Sequence, residues 1–112
     1  MSIPITIDGD RAVISPRGAI DQDTLPGLDT AADSLPASVT SVTWDLREVV
    51  FMDSAGLHLL ENQHRTARGR GGSITLTDPQ TQPLHLLRLA AQMYPAGPWS
   101  PLLAGLPPAD AA

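Results

Sequence analysis

Val42-Thr43-Trp44-Asp45-Leu46-Arg47-Glu48-Val49-Val50-Phe51-Met52-Asp53-Ser54-Ala55-Gly56-Leu57 is the most informative stretch of the chain. Its first five residues alternate in polarity, the period of a strand buried on one face. Val49 to Met52 form a short apolar run that leads straight into Asp53-Ser54-Ala55-Gly56. Asp and Ser are favoured before the first turn of a helix, because their side-chain oxygens accept orphan backbone N–H groups. The spacing therefore predicts a strand, a short apolar connection and a helix running to about Arg68. That helix carries Leu57, Leu60, His64 and Ala67 on one stripe and His58, Glu61, Arg65 and Arg68 on the other. Gly69-Arg70-Gly71-Gly72 stops it.

Upstream, Ile3, Ile5 and Ile7 alternate with polar residues. Pro4 places this strand at a sheet edge or marks its start. Asp8-Gly9-Asp10 is a turn, Arg11 to Pro16 the returning strand, and Pro16-Arg17-Gly18 closes the hairpin. Leu25, Leu28, Ala32 and Leu35 make an amphipathic helix, capped by Asp23 or Thr24, with Pro26 in its first turn and Pro36 at its end. Downstream, Ser73 to Thr77 is a strand, and Pro83 opens a third helix with Leu84, Leu87 and Ala91 on one face. Pro95, Gly97, Pro98, Pro101, Pro107 and Pro108 forbid a long regular element, and Trp99 and Leu102-Leu103 fold the tail back onto the domain. The order ββαβαβα with a proline-rich tail defines an α/β domain with a mixed β-sheet and helices packed on it. One domain is expected over residues 1–106, with a frayed, disordered end at 107–112.

The 112 residues are enough to bury about two-thirds of the chain's surface around one core. A hydrophobic content of 42% argues against disorder. Seven basic residues, all Arg, against twelve acidic ones leave a net charge of -5, which argues against nucleic acid. With no cysteine there is no disulfide, thiolate metal site or cysteine nucleophile. No apolar run is long enough for direct membrane insertion, and Met1-Ser2-Ile3-Pro4 lacks the features of a signal peptide, so a cytoplasmic location is expected.

His58, His64 and His85 are not spaced to chelate a metal, and no cofactor is expected. Ser54 sits at a strand-to-helix turn, but Met52 stands where a hydrolase elbow has its first glycine, and no base or oxyanion loop is identifiable. The Gly69-Gly72 loop follows a helix, whereas a phosphate cradle opens one. That leaves Asp53-Ser54 with two open roles. Both residues can cap the helix. A phosphate on Ser54 would also lie at the positive end of the helix dipole, add about -1.5 to -2 charge units beside Asp53, and repel an acidic or apolar partner.

The motif Asp45-Leu46, Val49, Phe51-Met52-Asp53-Ser54, Gly56-Leu57 resembles the signature of STAS domains, above all the bacterial anti-sigma factor antagonists. Gly18-Ala19-Ile20-Asp21 resembles the Gly-x-Leu-Asp that precedes the family's first helix, and the resemblance spans roughly residues 3 to 93. It implies a non-enzymatic partner switch. The unphosphorylated antagonist binds an anti-sigma factor of the ATPase-fold serine kinase type and frees a sigma factor. Phosphorylation ends the interaction, and a serine phosphatase restores it. Ser54 is then the phosphoacceptor, and Asp21, Asp53, Ser54 and Gly56 form the partner-binding set, with Gly56 admitting a partner's backbone. Ala55 replaces a frequent Ser or Thr, and Ala90-Ala91-Gln92-Met93 replaces a Thr-Gly-Leu segment. These departures fit the alternative implied by the same resemblance, a constitutive STAS adaptor of an ATP-driven lipid transport system.

Overall fold

The structure, a computed structural model, describes residues 3–106. The 107–112 segment, expected to be frayed, lies outside them. The elements run β1 (Ile5–Asp8), β2 (Arg11–Ile14), β3 (Gly18–Ile20), α1 (Leu25–Asp33), β4 (Ser41–Asp45), β5 (Val49–Met52), α2 (Ser54–Gly69), β6 (Ser73–Thr77), α3 (Thr81–Met93) and α4 (Trp99–Ala104). The α/β class and the mixed sheet expected from the sequence are both present.

Four strands form the main sheet in the order β1-β2-β4-β6. β1 is antiparallel to β2, while β2, β4 and β6 run parallel. The register places Ile14, Trp44 and Leu76 side by side, all fully buried, with Ala12, Val42 and Ile74 in the adjacent row. Period-two alternation sends Val13, Thr43 and Thr75 to the other face, where they are exposed or half-exposed. Pro4 precedes the edge strand, where its missing N–H costs no ladder bond. Ile7 belongs to the apolar alternation yet is 48% exposed, on the edge strand of the sheet. The Trp44 indole Nε1 is buried with no hydrogen-bond partner among the described residues.

Two strands were not anticipated. Gly18–Ile20 pairs in parallel with Val49–Met52 as a second small sheet, rather than closing the hairpin. The remainder of the expected order holds, and the chain reads βββαββαβαα. The tail does fold back: Trp99 and Leu102 are buried, on a six-residue helix.

The end of α2 follows its glycines. The Gly72 amide donates to the Ala67 carbonyl (2.8 Å) and the Gly71 amide to the Arg68 carbonyl (3.1 Å), with Gly71 at φ 76°. This is a Schellman cap, whose left-handed residue favours glycine. A Cβ at Gly72 would collide with the Thr40 carbonyl, so glycine there lets β6 start against β4.

Candidate functional site

The C-terminal ends of β3 and β5 lie side by side. The Asp53 amide donates to the Ile20 carbonyl (3.3 Å), which joins the loop entering α1 to the loop entering α2. Asp21, Asp53 and Ser54 therefore gather at one end of the small sheet. On the other edge of β5, the Gln82 side-chain amide binds the Met52 backbone. Nε2 donates to the Met52 carbonyl and Oε1 accepts from its amide, both at 2.8 Å. Arg47 and Gln80 fasten the loop that leads into β5. The Arg47 guanidinium donates to Asp78 (3.2 Å), and the Gln80 amide donates to the Arg47 carbonyl (2.8 Å).

Asp53 is the N-cap of α2. It has extended backbone dihedrals, and its Oδ1 accepts from the Ala55 amide at 2.9 Å. Ser54, the first helical residue, is exposed, and its hydroxyl makes no hydrogen bond to a described residue. The two residues thus divide the roles that the sequence left open: one caps, and the other presents a free hydroxyl. Asp21 organises the other loop. Its Oδ1 accepts from the amides of Asp23 (3.0 Å) and Thr24 (3.1 Å), while the Thr24 hydroxyl accepts from the Asp21 amide (3.0 Å) and donates to the Ala19 carbonyl (3.0 Å). Thr24 occupies the N-cap position without a side-chain cap bond, and Asp23 does not cap either. The expected Asp23 or Thr24 cap is replaced by this Asp21 turn because the Thr24 hydroxyl is turned back toward β3.

Gly56 corrects another expectation. It is buried, and a Cβ there would strike Met52 Cγ, with Met52 Sδ at 3.0 Å and Ile20 Cγ2 at 3.4 Å. Its missing side chain serves the seating of α2 on β3 and β5, so it offers no opening to a partner backbone. Ala55, Gly56, Leu59, Leu60 and Ala67 are buried, while Leu57 and His64, both expected on the apolar stripe, are half-buried. Ala55 faces inward as well, so the hydroxyl it lacks would not have been on the surface.

Beside Ser54 lies a groove of about 290 Å³ lined by Leu57, His58 and Glu61 of α2 and by Tyr94 and Trp99. Val50 and Phe51 of β5 and Met93 and Tyr94 at the end of α3 expose 45–60% of their surface. Sequence patterning did not single out Gln82 or Tyr94. Gln82 acts on a backbone 30 residues away, and no local periodicity marks it. Among the described residues no His, Asp and Glu cluster could hold a metal ion, and no helix is long and apolar enough to cross a membrane.

A family model described as "Mlab, STAS domain" matches residues 3–92, and the chain belongs to this STAS family. Its fold is that of the anti-sigma factor antagonists. An antagonist from Mycobacterium paratuberculosis superposes with a TM-score of 0.73 at 22% identity, covering 96% of this chain and 86% of that one. The unphosphorylated anti-sigma factor antagonist SpoIIAA gives 0.69 at 19% identity, covering 98% and 90%. The phosphorylated form of SpoIIAA, a Bacillus cell fate determinant, gives 0.64 at 21% identity, covering 98% and 93%. No curated protein matches the chain.

Proposed function

We propose that this domain is an anti-sigma factor antagonist switched by phosphorylation of Ser54. The observation that carries the proposal is the exposed, unbonded Ser54 hydroxyl at the start of α2, with the cap supplied by Asp53. Phosphorylation there costs the fold no hydrogen bond. It adds about -1.5 to -2 charge units at neutral pH, and the positive end of the α2 dipole stabilises them in the free protein. Docked against an acidic or apolar surface, the same phosphate is a buried unpaired charge. A complete switch needs about a 10⁴-fold change in affinity, near 5.5 kcal/mol.

Asp21, Asp53 and Ser54 form the centre of the partner face, and Gly56 supports it from beneath. The partner is an anti-sigma factor of the ATPase-fold serine kinase type, which brings its own ATP, and a serine phosphatase reverses the modification. The domain is then a cytoplasmic ligand and substrate in transcription regulation, with no catalysis of its own. A second reading is favoured by the name Mlab carried by the matching family model. In that reading the domain is a constitutive STAS adaptor of an ATP-driven lipid transport system, and Ser54 is a contact without phosphoryl chemistry.

Paired pull-downs from native lysate with wild type and Ser54→Asp separate the two. Capture of an anti-sigma kinase by wild type and its loss with a folded Ser54→Asp bait is the expected result. Equal capture of a transporter ATPase by both baits overturns the switch in favour of the adaptor.

A further inference from the structure

Ser54, Leu57, His58 and Glu61 fall at i, i+3, i+4 and i+7 of α2, a single stripe, and with Tyr94 and Trp99 they line the groove beside Ser54. His58 is exposed and is the only basic side chain on that groove. Residues four apart on a helix have Cβ atoms about 5–6 Å apart. Helical side chains also lean toward the N-terminus, over the preceding turn. The His58 imidazole is thereby carried over the turn that starts at Ser54, within reach of a phosphate on the Ser54 hydroxyl. His58 makes no ion pair within 4 Å among the described residues. Glu61, the nearest acid beyond it on the stripe, is held by Arg65 at 3.4 Å. The other acids at this end of the domain are Asp53, which caps α2, and Asp21, which accepts from the Asp23 and Thr24 amides. Both repel a second anion at Ser54. Tyr94, exposed on the groove, is the remaining titratable group there.

We infer, on the reading that Ser54 is phosphorylated, that His58 positions the phosphate: its imidazolium pairs with phosphoserine 54 and draws the phosphate over the groove. An imidazole and a phosphoserine both change charge between about pH 5 and 8. The coupling is reciprocal, since the phosphate favours the imidazolium and the imidazolium favours the dianionic phosphate. Toward pH 8 the imidazole gives up its proton, and the phosphate is left beside Asp53 without a counter-charge. The modified site is therefore sensitive to pH, whereas the unmodified Ser54 hydroxyl carries no charge to couple to His58. The groove is also where the phosphate acts: seated on His58, it covers the α2 stripe that is open in the unmodified domain.

The test uses the full chain with phosphoserine installed at position 54 during translation, so that no kinase is needed. Phosphorus spectra follow the second ionisation of the phosphate in wild type, His58→Gln and His64→Gln. Gln keeps a hydrogen-bond donor but no titrating charge, and Asp21, Asp53, Glu61 and Tyr94 are the same in all three proteins. The midpoint should lie lower in wild type than in His58→Gln by about half a pH unit, the size of an exposed ion pair, and about 1 M salt should shrink the difference. His64→Gln, at a half-buried histidine that does not line the groove, should match wild type. His58 is exposed, and amide dispersion reports whether its variant is folded. Equal midpoints in wild type and folded His58→Gln overturn the inference. So does a change in His64→Gln as large as that in His58→Gln, which would mark a diffuse charge effect. The lysate pull-downs, not these midpoints, decide whether Ser54 is switched in the cell, so the two failures are told apart.

Discussion

The Gln82 side-chain amide stands in for a strand: it pairs with both the N–H and the C=O of Met52 at 2.8 Å. α3 is thereby fastened to the open edge of β5, one residue before the Asp53-Ser54 pair. Without Gln82, two partly buried backbone groups would lose their partners. Gln82→Ala is therefore expected to cost about 1–3 kcal/mol. For a domain of this size that lowers Tm by several degrees, about 4–8 °C per kcal/mol. Gln82→Glu keeps the length but replaces the donor with an acceptor facing the Met52 carbonyl, and it should be no better than Ala at neutral pH. Thermal unfolding of the three proteins checks the order.

Gly56 should tolerate no side chain unless Met52 yields. Gly56→Ala places a methyl against Met52 Cγ, in a side chain that is fully buried. The expected loss is about 1–3 kcal/mol from overpacking. Shortening the opposing residue, as in Gly56→Ala with Met52→Val, should destabilise less than the sum of the two single changes. A double-mutant cycle by denaturant unfolding measures that coupling.

Asp53 and Ser54 should separate cleanly in stability. Asp53→Ala removes the oxygen that accepts from the Ala55 amide and is expected to cost about 1 kcal/mol. Ser54→Ala removes a hydroxyl with no described partner and should change stability by less than about 0.5 kcal/mol. Equal losses from the two substitutions would mean that Ser54 shares the cap.

Asp29 sets a small pH dependence. Burial, and secondarily the charge of Asp33, raise its carboxyl above the ordinary value of 3.8. The folded protein therefore holds this proton more tightly than the unfolded chain, and stability falls as pH rises through the shifted range. At neutral pH the ionised group is a net cost. Asp29→Asn should then stabilise by a few tenths of a kcal/mol after solvent screening. The gain should vanish below pH 3.8. Denaturation midpoints of both proteins at neutral and acid pH give the comparison.

Much of this was legible in the chain. The alternation in Val42–Leu46 and Ser73–Thr77, the glycine stop at 71 and 72 and the Asp53-Ser54 helix start depend on neighbours a few residues away, so local patterning reveals them. The motif around Ser54 also identified the family that matches residues 3–92. The second sheet was different. Gly18–Ile20 is only three residues long, too short for a period, and its partner Val49–Met52 exposes its middle two residues instead of alternating. The inward turn of Gly56, the Asp21 turn in place of the α1 cap and the Gln82 clamp all belong to the tertiary structure. Each arises where separate segments meet, through contacts or orientations that local sequence spacing does not encode.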